Sequence, residues 1–295
     1  MTQEGAVNAT VRRWQLTETL RQLREAAGMT IEQVVERLRD GQGKWSRSKL
    51  GRIETREQGV KRHEVEELLD LYGVYDPTIR PWLLGLVSTV NERGYWLALR
   101  KDLPSDFHEF LGVEAALVRL REFETMVVPG LLQVPEYTRA LIYGANPGLE
   151  RDLAEGRVQA RMARQQVLNR TVPLRLHVIL DEAILERPVG SAAVMRDQLQ
   201  RLIDTGAENH VTVQILQKSA GASPALDGPF SLLTLPAPIP DFGYAEGQGG
   251  AVYIEDVDHV RECAQRWGIL TGKALSAVDS LDVLREAVNT YDEQT

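Results

Sequence analysis

The chain has 295 residues, 26% of them charged and 43% hydrophobic, with a formal net charge of −8. That length suits two domains, each able to bury its own core, and the composition is that of a globular protein. One cysteine, Cys263, excludes an internal disulfide and zinc-finger spacing, and no apolar run approaches the roughly 20 residues of a membrane span. Met1–Thr10 lacks the charged and apolar regions of a secretion signal, so a cytoplasmic location is expected.

The net charge hides a local reversal. Residues 37–62 carry nine basic groups against three acids, a net +6 that leaves −14 for the remainder. Phosphate binding answers to such a local patch rather than to the total.

Residues 1–15 read as a flexible N-terminus. Thr17–Ala27 reads as a helix capped by Thr17, with Leu16, Leu20 and Leu23 at helical spacing and Gly28 as the residue that ends it. Thr30 opens a second helix running to about Arg39, which Gly41, Gln42 and Gly43 break. Ser46 caps a third, ending at Glu54, in which Leu50 and Ile53 share the inward face. Its opposite face carries Ser48, Gly51, Arg52 and Thr55, with Arg47 and Lys49 on the flanks. That face is small, polar and cationic, as a helix entering a major groove must be. Arginine can bridge guanine O6 and N7, serine bonds either kind of base edge, and glycine lets the backbone approach closely. A fourth helix, about Arg62–Tyr72, points Val65, Leu68, Leu69 and Tyr72 inward and stops at Gly73.

Pro77 and Pro81 bracket a junction, and Trp82–Arg93 reads as an apolar helix expected to pack on the second domain or across a dimer. Phe107–Thr125 has a helical stripe, Val127–Gln133 interrupts it, and Pro135 starts a short helix to Tyr143. Glu150–Asn169 reads as one long charged helix with a solvated face. The period then changes to two. Leu174–Leu180, Val211–Leu216, Phe230–Leu235 and Ala251–Ile254 read as strands, with helices at about Ser191–Thr205, His259–Lys273 and Val278–Asn289.

The fold expected is an all-α helix-turn-helix domain of four to five helices followed by an α+β domain with a small sheet of about four strands, mixed or antiparallel. The boundaries are 16–76 for the first domain, 77–105 for a helical linker, 106–289 for the second domain and 290–295 for a tail.

Leu23-Arg-Glu-Ala-Ala-Gly-Met-Thr30, followed by Ser46-x-Ser-Lys-Leu-x-Arg-Ile-Glu54, resembles the phage-repressor-like (XRE-type) helix-turn-helix regulators. The resemblance implies a structural ion pair between Arg24 and Glu54. It implies that Arg47, Ser48 and Arg52 face bases, while Lys44, Lys49, Thr55, Arg56 and Lys61 touch phosphate. The chain departs from that family at Ile31, usually a phosphate-contacting glutamine, and at Val35, usually a small residue. The turn Asp40–Trp45 is long, and Arg56 stands where a glycine commonly follows.

Val-Pro-Gly-Leu-Leu-Gln133, Tyr137-Thr-Arg-Ala140, Arg161-x-x-Arg164, Leu180-Asp-Glu-Ala-Ile-Leu185 and Gly228-Pro-Phe-Ser-Leu-Leu233 resemble the large uncharacterised domain of WhiJ-like actinomycete regulators. That resemblance implies a transcriptional regulator, commonly a repressor, encoded near a small partner protein. The expected partners are a double-stranded DNA operator, a second copy in a homodimer, and a small protein or small-molecule effector. The alternative is an antitoxin-like protein whose main act is sequestering a small partner.

No catalytic, cofactor or metal set stands out, and no enzyme is expected. The five histidines are scattered, and no phosphate-loop, Gly-x-Ser-x-Gly or His-Glu-x-x-His pattern occurs. Asp181-Glu182 and Glu255-Asp256 with Asp258-His259 follow strands, where acids can serve as bases or metal ligands. Helix capping is the simpler reading of both. Gly243–Gly250 reads as a mobile loop or pocket lid, Val128–Leu132 as a core turn, and Cys263 as a packing residue.

Overall fold

A computed structural model describes residues 9–39, 41–87, 107–247 and 250–294. The chain divides into two compact units, residues 1–94 with 236–240 and residues 95–235 with 241–295. Among the described residues no helix is long and apolar enough to cross a membrane.

The first unit contains helices α1 (Ala9–Ala26), α2 (Ile31–Arg37), α3 (Arg47–Glu54), α4 (Arg62–Leu71) and α5 (Ile79–Val87). α1 starts well before the expected Thr17, which lies buried in its interior with its hydroxyl donated to the Trp14 carbonyl at 3.2 Å. Residues 9–15, expected to be flexible, are therefore helical, and Trp14 is buried. Thr30 caps α2 reciprocally: its hydroxyl accepts from Gln33 N–H, and the Gln33 side chain accepts from Thr30 N–H. Leu16, Leu20, Val34, Leu50, Ile53, Val65, Leu68 and Leu69 form the core, with Leu83 and Leu84 of α5 among them. Burial of each such side chain contributes about 1.5–3 kcal/mol. α5 thus belongs to the helical unit rather than to a linker, because short helices around it need its apolar face to close their core. The rest of the expected linker helix, including Val90 and Arg93, lies outside the described residues.

The second unit is built on a mixed six-stranded sheet in the order β3-β2-β1-β4-β5-β6. Its strands are β1 (Arg119–Glu124), β2 (Arg175–Asp181), β3 (Val211–Leu216), β4 (Phe230–Thr234), β5 (Phe242–Gly247) and β6 (Gly250–Ile254). β1, β2 and β3 run parallel, while β4 lies antiparallel beside β1 and leads an antiparallel run through β5 and β6. Its helices, numbered on from the first unit, are α6 (Phe107–Glu114), α7 (Pro135–Ala145), α8 (Arg151–Arg164), α9 (Ala183–Glu186), α10 (Ala192–Gly206), α11 (Val257–Lys273) and α12 (Ala277–Asp292).

Two strands were not expected. Phe107–Thr125 is not one helix: α6 stops at Glu114 and the chain becomes β1, at the centre of the sheet. Leu117, Leu120 and Phe123 have helical spacing, but pairing with β2 on one side and β4 on the other satisfies this backbone as a strand. β5 occupies much of the glycine-rich run expected to be a loop. Gln248 and Gly249 of that run lie outside the described residues. The charged helix also ends early, at Arg164, and continues as the 3-10 turn Gln165–Leu168.

The free edge of β3 is covered by the chain entering α12. Leu275 N–H donates to the Ile215 carbonyl, and Ile215 N–H donates to Ser280 Oγ, both at 2.9 Å. On one sheet face Phe123, Ile179, Leu216 and Leu232 pack against Cys263, Trp267 and Leu270 of α11. Val128–Leu132 is a core turn held by two glutamines: Gln133 donates to the Val128 carbonyl and Gln198 to the Leu132 carbonyl.

α8 does not present a fully solvated face. Arg164 is buried and makes a bidentate pair with Glu114, at 2.8 and 2.6 Å. Burial opposes the charged guanidinium, but Glu114 outweighs it and holds the Arg164 pKa above the ordinary value. Removing one partner strands the other charge. Arg164→Leu is expected to destabilise the second unit by about 3–5 kcal/mol, with much of the loss recovered in Arg164→Leu/Glu114→Leu. Urea unfolding of the two variants measures this.

Candidate functional site

α3 is held at its N-terminus by its own cap and at its C-terminus by an ion pair. Ser46 Oγ accepts from Lys49 N–H at 3.1 Å. At the other end Glu54 takes two hydrogen bonds from Arg24, at 2.7 and 2.9 Å, and a third Arg24 nitrogen donates to the Met29 carbonyl at 2.8 Å. This contact locks α3 to α1 and to the start of α2. Leu50 and Ile53 are fully buried between these fixings.

The long turn before α3 is organised by Glu67 of α4. Its carboxylate accepts from Gln42 N–H at 2.6 Å, from Gly43 N–H, and from Trp45 Nε1 at 2.7 Å. A Cβ at Gly43 would lie 2.5 Å from Trp45 Nε1 and 2.8 Å from Glu67, so only glycine fits. Lys44, beside it, has φ +47° and an exposed side chain. Sequence reasoning missed Glu67. Its only signal was its place between Leu68 and Glu66 on the helix that follows, and the pattern does not say that the face is turned toward the turn.

The expected contact residues separate into two groups. Arg47, Ser48 and Arg52 are exposed on one side of α3. Arg52 donates to Ser48 Oγ at 3.0 Å and to Gln58 at 3.1 Å, and Arg47 pairs with Glu32 of α2 at the surface. Gly51, beside them, has open space where a Cβ would stand. Lys44, Thr55 and Lys61 are also on the surface.

Lys49 and Arg56 sit elsewhere. Lys49 is 15% exposed and donates to the Glu64 carboxylate and the Gly43 carbonyl, with its ammonium 4.9 Å from the centre of the Trp45 ring. Burial alone would raise the Glu64 carboxyl, but the bonds from Lys49 and from Lys61 N–H outweigh it and hold its pKa below the ordinary value. Arg56 has φ +68° and lies 4.4 Å over the Trp14 ring. Both cations are held by contacts within the helical unit, unlike the exposed Lys44 and Lys61.

In the second unit the acid clusters serve as caps. Asp181 accepts from Ala183 N–H at 2.9 Å, and Asp256 accepts from Asp258 and His259 N–H. Among the described residues no group of three His, Cys, Asp or Glu side chains could hold a metal ion.

A different cluster lines a cavity under the sheet. The outer chamber, of about 470 Å³, has Leu141, Ile142 and Ala145 on its wall with Arg157 and Arg161. An inner chamber of about 240 Å³ adjoins it along Val127, Arg161, Arg164, Tyr244 and Glu246, and adds Glu122 and Glu124 of β1. Burial, then Glu124 and Glu114, push the Glu122 carboxyl well above the ordinary value. Burial, then Glu246, push Glu124 from 4.5 to about 7. Burial first, and Arg164 second, lower Arg161 to about 10. Sequence reasoning missed this site because Glu122 and Glu124 lay in an expected helix.

A helix-turn-helix whose third helix is pinned and carries exposed arginines, joined to an α/β domain, belongs with regulators of the DNA-binding class. The helix-turn-helix domain model matches residues 15–83, and the model described as a domain of unknown function (DUF5753) matches residues 107–286. The second match spans more than half of the chain, and the chain belongs to that family. Comparison with curated proteins and with solved structures gave no match.

Glu67→Ala leaves the turn donors without their acceptor and should cost the helical unit about 1–3 kcal/mol in chemical denaturation. Glu124 has a folded pKa above its unfolded value, so its contribution is present below about pH 4.5 and lost as pH rises through about 7. Glu124→Gln should therefore raise the melting temperature at pH 8 and leave it nearly unchanged at pH 4.5.

Proposed function

We propose that this protein is a sequence-specific transcription regulator, a repressor acting as a homodimer on paired half-sites about one helical turn apart. Arg47, Ser48 and Arg52 read base edges, while Lys44, Thr55 and Lys61 contact phosphate. The second domain senses a small molecule or docks a small protein, and its bound state biases the DNA-competent arrangement. The observation that carries this reading is the contrast on α3. Its inner face and both ends are pinned, whereas Arg47, Ser48, Gly51 and Arg52 are turned outward with room beside the backbone.

The test is binding to an operator selected from genomic DNA. Arg47→Ala and Arg52→Ala should each weaken operator binding and relax sequence choice, by about 1–3 kcal/mol. Lys44→Ala should weaken all sequences alike and make the salt dependence shallower.

Gly51→Ala separates docking from folding. Its Cβ meets nothing within 4 Å in the free protein, so better helix propensity should stabilise the helical unit by up to about 1 kcal/mol. The same methyl group stands between the helix backbone and a groove, and operator affinity should fall. Wild-type affinity in both Gly51→Ala and Arg47→Ala/Arg52→Ala, read by gel-shift titration, would falsify this docking.

A further inference from the structure

The cavity of the second unit carries a charge imbalance that the described residues do not resolve. Glu114 and Arg164 neutralise each other through two hydrogen bonds, and Arg161 donates to Gln133 at 3.0 Å. Tyr244 donates to Glu246 at the same wall. Glu122 and Glu124, two apart on β1 and so on the same sheet face, have no hydrogen-bond or ion-pair partner among the described residues. Both are half-buried, and the surface they keep is cavity wall. Carboxylates placed this way ordinarily have donors. Among the described residues none supplies that donor, which leaves the place to something that enters.

The shape and chemistry narrow what that is. Among the described residues, Glu122, Glu124 and Glu246 face one wall cation without a carboxylate partner, Arg161, so the inner chamber favours positive charge. No three acids among them are set to close on one metal ion. Val127, Leu141, Ile142 and Ala145 give the outer chamber an apolar part that suits a hydrocarbon body, beside Asn146, Arg157 and Arg161 of the same lining.

We propose that this cavity binds a small organic amine, with its ammonium group donating to Glu122 and Glu124 and its apolar body against Leu141 and Ile142. This deepens the reading of the second domain as a sensor and rests on it for its biological meaning, although the binding itself does not.

The test uses the full-length protein without DNA, so that failure of the operator reading leaves it intact. Three probes of one shape and different charge, 2-phenylethylamine, 2-phenylethanol and phenylacetate, are titrated by calorimetry at pH 8. Saturable binding of the amine, at least about tenfold tighter than the alcohol and with no binding of the acid, is the expected result. Glu124→Gln should weaken the amine by about tenfold with the far-UV circular dichroism unchanged. Ile142→Trp, which fills the outer chamber, should abolish binding.

Equal binding of amine and alcohol, or no saturable amine binding, overturns the proposal. So does preference for phenylacetate, which would assign the cavity to Arg157 and Arg161 instead. Operator affinity with and without saturating amine is then measured separately. An amine that binds without changing operator affinity leaves the cavity assignment standing and removes the sensor reading.

Discussion

Three carboxylates, Glu54, Glu64 and Glu67, hold α3 and the turn before it, and the exposed face of the helix depends on them. Glu54 is tied to Arg24, Glu64 to Lys49, and Glu67 to the N–H groups of the turn. A helix of eight residues is marginal alone, so its position comes from neighbours rather than from its own hydrogen bonds. The basic patch is consequently smaller than a count of charges implies. Acids on α2 and α4 take up Arg47 at the surface and Lys49 inside. Arg52 meets no carboxylate among the described residues and is steadied by the neutral Ser48 and Gln58.

The second unit uses buried charge differently. Arg164 and Glu114 are a satisfied pair, and such pairs tend to fix geometry more than they add stability. Glu122 and Glu124 are instead left facing a cavity at the centre of the sheet, where apolar side chains would have been more stable. Burial and the neighbouring acids raise the pKa of both. Groups perturbed by burial and by neighbouring charge cluster at functional sites, and this cavity holds Glu122, Glu124 and Arg161.

Much of the helical unit was legible because its signals are local. Ser46 and Thr30 cap helices, Gly28 and Gly73 take positive φ after them, and Leu50 and Ile53 lie inward as their spacing requires. The Arg24–Glu54 contact, suggested by family resemblance, is a bidentate pair in the structure. α10 and the strands β2, β3 and β4 were likewise legible from alternation and capping within a few residues. β1 was not. Its apolar residues fit a helical stripe as well as a strand, and only two partners far along the chain choose between them.

The sequence by itself determined that a helix-turn-helix precedes a larger domain of both helices and strands, and which side of α3 carries its exposed arginines, because periodicity and caps act over a few residues. Tertiary structure decided the rest. It drew Lys49 and Arg56 into contact with Glu64 and Trp14, added α5 to the helical core, and turned Glu122 and Glu124 into one cavity opposite Arg161 and Arg164. Those outcomes depend on which distant residue arrives beside a charged or apolar group, and no local pattern encodes that.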